Sequence, residues 1–150
     1  MALYAVTTGK VTLTASATKS LVLVNPATPA FKVRQLEVSM DASAAAAGVE
    51  FDLYRTSTVG SPAGSAATPA QADERDIAAQ STALTALTTE PTAVTVIASY
   101  YLQPFGGVLV VPFPYGAEVI GKGGGNRIGV RYVTPSGVTP DCLLNLWWEE

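Results

Sequence analysis

Apolar and polar side chains alternate with a period of two along several stretches of this chain, the period of half-buried strands. From Asn126 to Val133, Ile128, Val130 and Tyr132 fall on one side and Arg127, Gly129 and Arg131 on the other. From Cys142 to Glu149, Cys142, Leu144, Leu146 and Trp148 share a side, while Leu143 and Trp147 share the opposite one with Asn145 and Glu149. The Pro/Ser/Gly/Thr/Pro run between them is a loop too long for a two-residue hairpin, so two antiparallel strands are predicted, the second apolar on both faces.

The same reading extends upstream. Lys32 to Met40 places Leu36, Val38 and Met40 on one face and Gln35, Glu37 and Ser39 on the other, a strand with one wet side. Val49 to Arg55 is the cleanest strand, with Val49, Phe51 and Leu53 inward. If these two strands neighbour each other, Leu36, Val38, Phe51 and Leu53 form a core cluster. Leu21-Val-Leu-Val24 is a continuous apolar run that reads as a fully buried strand. Tyr4-Ala-Val6 and Val11-Thr-Leu-Thr14 are β-favouring pieces around a Gly9-Lys10 turn. Residues 41–48, rich in alanine, read as a connection with at most one helical turn. Further short strands are expected within 91–102, 107–111 and 117–120.

Residues 56–92 break the pattern. They are rich in Ala, Ser, Thr, Gly and Pro, with one charged knot at Asp73-Glu-Arg-Asp76. Thr68-Pro-Ala-Gln71 resembles a helix start, with a capping hydroxyl and proline at the first helical position. Two readings stand: a loose surface excursion, or an arm reaching a neighbouring subunit, because compact domains rarely carry such connections without a task. With no repeat and no long helical pattern, the expectation is an all-β fold. It is a single domain over 1–150, an antiparallel β-sandwich or jelly roll of about eight to ten short strands.

Composition narrows the function. Apolar residues make up 48% of the 150 positions and charged residues only 14%, against about 25% in ordinary domains, so a monomer would expose much neutral surface and oligomerisation is expected. The net charge is −3 and no Lys/Arg run exists, which argues against nucleic-acid binding. The apolar runs are too short to cross a bilayer, and the first ten residues lack the pattern of a signal peptide. Cys142 reads as a small buried hydrophobe.

Histidine is absent, which removes Ser-His-Asp and Cys-His catalysis and, with a single thiol, any zinc site. No cofactor motif is present. Gly121-Lys-Gly-Gly-Gly-Asn126 lacks the spacing of a phosphate loop and reads as a turn needing positive φ. Glu37, Glu50 and Asp52 lie on the polar faces of two strands and read as a solvated or subunit-facing surface paired with Arg34, Arg127 or Arg131, rather than as glycosidase carboxylates. No enzyme is expected. Tyr4, Tyr100, Tyr101, Tyr115, Leu143 and Trp147 are the candidate interface residues, since interfaces are enriched in tyrosine and tryptophan anchors.

The opening Leu3-Tyr-Ala-Val-Thr-Thr-Gly-Lys10, the strand from Phe31 to Met40, the Leu87-Thr-Thr-Glu-Pro91 run and the closing Trp147-Trp-Glu-Glu150 resemble small β-sandwich virion proteins of tailed bacteriophages, notably those of actinobacteria. The resemblance spans nearly the full chain and implies a capsid decoration (cement) protein. Such a protein would be made in the host cytoplasm, sit on the capsid surface as a homotrimer and bind the major capsid protein. No site residues transfer with it. The alternative is a carbohydrate- or receptor-binding module of a phage head or tail fibre.

Overall fold

A computed structural model describes residues 1–27, 30–41, 47–57 and 62–150. They contain twelve strands and no helix: β1 (Leu3–Thr12), β2 (Thr18–Asn25), β3 (Lys32–Asp41), β4 (Val49–Thr56), β5 (Ala63–Ala67), β6 (Ala70–Gln71), β7 (Thr82–Thr89), β8 (Val94–Leu102), β9 (Val108–Pro112), β10 (Val119–Ile120), β11 (Arg127–Val133) and β12 (Asp141–Glu149). The alanine-rich connection expected at 41–48 lies largely outside the described residues.

Every pairing is antiparallel. One sheet, A, has the order β10-β3-β12-β1-β6, with β9 also on β3; the other, B, runs β5-β7-β2-β11-β4-β8. Four pairings carry the topology: β1 with β12, β2 with β11, β3 with β9 and β4 with β8. This is one long hairpin rolled up on itself, with its strands dealt alternately to two sheets. The result is the double Greek key of a jelly roll. The remaining strands, β5 to β7 and β10, are insertions between its fourth and fifth and its sixth and seventh strands.

Burial follows the alternation. Phe51, Leu53, Leu36, Val38, Leu144, Leu146 and Trp148 are all fully buried in one core between the sheets. Tyr4, Phe31 and Trp148 form an aromatic group in it, with ring centroids 6.2 and 5.5 Å from the tryptophan. Two expected adjacencies are corrected, however. β3 and β4 lie in opposite sheets, so the Leu36–Phe51 cluster forms across the sandwich. Likewise β11 and β12 do not pair with each other, and residues 134–140 carry the chain from sheet B to sheet A.

Gly9 does not make the expected turn either. β1 runs unbroken through it, and Thr7 to Lys10 spans one residue more than the facing Asn145 to Leu143. The extra residue is a β-bulge, and the left-handed φ of +66° at Gly9 explains why glycine stands there.

The excursion at 56–92, of which 58–61 lie outside the described residues, contributes three strands laid on the chain's own sheets. β7 pairs with β2, β5 with β7, and the short β6 with β1 in sheet A. There is no helix at Thr68: the chain is extended into β6, and Tyr4 donates its hydroxyl to the Ile77 carbonyl at 2.8 Å. Glu150 holds the next turn by accepting the Gln80 N–H at 2.6 Å. Weak local helix signals lose here to ladder hydrogen bonds with β1 and β2.

Because β7 and β8 flank sheet B on opposite sides, residues 90–93 must cross its outer face. The Glu90 carboxylate accepts the Ser20 N–H at 3.0 and 3.1 Å, Pro91 is buried, and Thr56 donates to the Ala93 carbonyl at 2.5 Å. Tyr54, on that outer face, is fully buried and shares a 2.7 Å hydrogen bond with Ser20. Burial pushes its hydroxyl up to about 12. The Tyr54 ring fills the space above Gly129, where an added Cβ would lie 2.5 Å from Cζ and Oη. Gly129→Ala is therefore expected to force the ring aside and cost about 1–3 kcal/mol, read as a lower denaturation midpoint.

Candidate functional site

The two long edges of the sandwich differ in chemistry. On the β1/β2 side, β5, β6 and β7 extend the sheets mostly with alanine, serine, threonine and glycine, Leu84, Leu87 and Gln71 being the exceptions. On the opposite side, β8 pairs only with β4 and β9 only with β3, so among the described residues both leave one backbone edge unpaired. This β8–β9 flank is apolar. Val96, Ile97, Tyr101, Phe105, Val108 and Val110 lie in one stretch of chain and are 42, 39, 76, 76, 69 and 54% exposed. Natural sheet edges usually carry charge, proline or cover against unwanted pairing. Here only Pro112, at the end of β9, does so.

The pairing register explains the exposure on β9. Its Val108, Val110 and Pro112 stand opposite Ser39, Glu37 and Gln35 of β3, which in turn face Leu143, Asn145 and Trp147 of β12. These residues tile the outer face of sheet A in three rows, while Leu109 and Val111 point the other way and pack on the core. Gly107 to Val111 read as a uniformly apolar run in the sequence. The outward half of it was discoverable only once β9 was known to be an edge strand. In the centre of the tiled face, Glu37 accepts from Gln35 Nε2 at 2.5 Å and from Asn145 Nδ2 at 3.0 Å.

Next to this face a charged cluster sets the position of Tyr115. Arg34 donates from Nη1 to Glu118 at 3.0 Å and from Nη2 to Glu149 at 2.5 Å, with Lys32 a further 4.0 Å from Glu118. Its guanidinium carbon lies 4.0 Å from the centre of the Tyr115 ring, a cation–π contact that holds a ring 78% exposed. The Glu149 hydrogen bond, opposed by partial burial, raises the Arg34 pKa. The Glu118 carboxyl is held low chiefly by its own backbone N–H; burial opposes this, and the Gly116 N–H, the Arg34 side chain and the Lys32 charge add to the lowering.

The candidate interface residues are thereby sorted. Tyr4 is 1% exposed and belongs to the core, so it is not open to a partner in this fold. Tyr100 stands opposite the inward Phe51 and is partly buried against the core. Tyr101 is exposed on the outer face of sheet B, its hydroxyl 2.9 Å from Glu50. Leu143 and Trp147 share the outer face of sheet A, with Tyr115 beside it. Glu37 is on one outer face, and Glu50 and Asp52 on the other, so the three carboxylates do not converge. Of the expected arginine pairings, only Arg131 with Asp52 forms, at 2.9 Å; Arg34 pairs instead with Glu118 and Glu149, and Arg127 makes no ion pair among the described residues.

Cys142 is buried among apolar side chains, which pushes its thiol up to about 12. No group of three or more metal-binding side chains exists among the described residues, and no helix there is long and apolar enough to cross a membrane. Fold and surface together define a jelly-roll β-sandwich with one apolar flank. No family model matches the chain, and neither a curated protein nor a solved structure is found to match it.

Proposed function

We propose that this chain is a structural virion protein of the capsid decoration (cement) type, whose output is adhesion to other protein. The observation that carries the reading is the β8–β9 flank. Two unpaired strand edges run along it, on a chain with only 14% charged residues. Its strands and the turn between them carry six exposed apolar side chains, with Val96 and Tyr101 on the sheet B side and Val108 and Val110 on the sheet A side. Exposed apolar surface of that kind marks protein contacts. The resemblance to small phage β-sandwich proteins supplies the partner, the major capsid protein, and the homotrimeric state. Modest contacts acting together on one trimer would bind a capsid shell by avidity.

A carbohydrate- or receptor-binding module would need its aromatic rings on one face to stack a sugar. Tyr101 stands on the outer face of sheet B, whereas Trp147 and Tyr115 are on the side of sheet A, so only the latter two could serve one sugar.

Light scattering at high protein concentration is expected to give a mass about three times that of the chain. Val110→Asp, at an exposed position that leaves the core intact, is expected to shift that mass toward the monomer and to abolish copurification with a capsid shell in defined stoichiometry. Unchanged mass and unchanged copurification in V110D would remove the flank from the contact. A glycan-array signal lost on Tyr115→Ala would favour the carbohydrate module instead.

A further inference from the structure

We infer that the end of the sandwich where β4 finishes and β8 and β11 begin is a binding site for a phosphoryl dianion, a property separate from the adhesion proposed above. A cleft of about 550 Å³ opens there, within the size range of small-ligand sites. Its walls come from the ends of β4, β8, β10 and β11 and from the glycine-rich turn after β10.

The charges single this cleft out. The chain has nine Lys and Arg residues and twelve Asp and Glu, all within the described residues. Lys10, Lys32, Arg34, Arg75 and Arg131 make ion pairs, so four cations remain: Lys19, Arg55, Lys122 and Arg127. Three of these four, Arg55, Lys122 and Arg127, line this one cleft, and no carboxylate does. In an acidic chain, uncompensated positive charge is thus concentrated at a single concave place.

Arg127 is the sharpest of the three. Its Nη1 is wholly buried and makes no hydrogen bond, while Arg55 donates from Nη2 to the Ile120 carbonyl at 3.1 Å. The Arg127 Nη1 is closed to solvent, so a ligand in the cleft meets Arg127 through its other guanidinium N–H groups, which engage no acceptor among the described residues. The group they suit best is an oxyanion, which arginine grips through paired N–H donors. Three neighbouring cations repel one another, and a doubly charged anion relieves that repulsion more than a single carboxylate does. Thr56 and Thr95 add hydroxyls to the lining, and Val94 and Ile128 add apolar wall. A small phosphate ester therefore fits as the ligand, its phosphoryl group at Arg127 and its organic part against the valine and isoleucine. The lining contains no aromatic ring on which a nucleic-acid base could stack, so a single-stranded nucleic acid fits less well.

The test titrates inorganic phosphate into the full chain at constant ionic strength, read by calorimetry and by melting temperature. Saturable binding with a rise in Tm is expected, which acetate and chloride at the same ionic strength do not reproduce. Arg127→Gln is expected to weaken phosphate binding about tenfold or more. Arg55→Gln, at an exposed residue whose loss leaves the fold intact, is expected to weaken it in the same direction. Lys19→Gln, the remaining unpaired cation and outside the cleft, is expected to leave it unchanged. The proposal is overturned if phosphate acts no differently from chloride, if acetate binds as tightly, or if K19Q weakens binding as much as R55Q. None of these readings depends on oligomeric state or capsid binding.

Discussion

Phe51→Ala is expected to lower the unfolding free energy by about 3–5 kcal/mol, the range for removing a buried phenylalanine from a packed core. Phe51 has no exposed surface and lies on β4, an interior strand of sheet B. Tyr132 of β11 and Tyr100 of β8 stand directly opposite it. Tyr132 is itself constrained: it is 3% exposed, and its hydroxyl accepts the Thr14 N–H at 3.2 Å. The site can thus collapse only in part, and a cavity remains. In a domain of this size each kcal/mol moves Tm by about 2–4 °C, so a fall of about 6–20 °C is expected. A urea titration should show a lower midpoint at an unchanged slope. A loss below about 1 kcal/mol would mean that the ring is not packed between the sheets as described.

Asp52→Ala is expected to cost about 3 kcal/mol, by a different route. Asp52 is 2% exposed on the outer side of sheet B, accepting from Arg131 Nε at 2.9 Å and from Ser99 Oγ at 2.6 Å. Breaking a buried pair typically costs about 3–5 kcal/mol because the surviving charge is left uncompensated. The Arg131 side chain is 25% exposed, so water takes over part of that role and the low end applies. Burial pushes the Asp52 carboxyl up, but the hydrogen bonds from Ser99 and Arg131 outweigh it and hold the pKa below the usual carboxylate range.

The sign of the pH dependence follows from that direction. The unfolded chain binds the proton more tightly, at about pH 3.9, than the folded one. The stabilisation is fully present above that pH and is lost as pH falls through the lower folded value. Urea midpoints at pH 6 and pH 3 should therefore converge in Asp52→Asn relative to the parent chain. They should not meet, because Asp73, Glu118 and Asp141 are also held low by their hydrogen bonds. An identical acid loss in parent and D52N would show that the Arg131 pair carries none of it.

Much of the fold is local information. The period of two is set by strand geometry, so the inward and outward sets of β3, β4, β11 and β12 can be read from residue types alone, as can the core positions of Phe51, Leu36 and Trp148. Strands rich in alanine and threonine escape this reading because small side chains bury little area and leave no contrast between faces. That is why β5 to β7 looked like a loose excursion, and why a threonine and proline at 68–69 resembled a helix start. The Gly9 bulge was hidden for a related reason: a glycine in a strand and a glycine in a turn meet the same demand for positive φ.

What lay beyond the sequence is which strand neighbours which, because hydrogen-bond ladders join residues far apart in the chain. Tyr4 could be taken for an interface residue until β6 and the Ile77 turn closed over it, and Val110 for a core residue until β9 proved to be an edge. Arg55, Lys122 and Arg127 are an unremarkable scatter of cations along the chain, and only the rolled hairpin brings them to one cleft without a carboxylate. Alternation of side chains thus determines an all-β chain with a definite core, since it depends on neighbouring residues alone. The flank, the strap over sheet B and the cationic cleft are decided by long-range pairing, which joins surfaces that no local pattern connects.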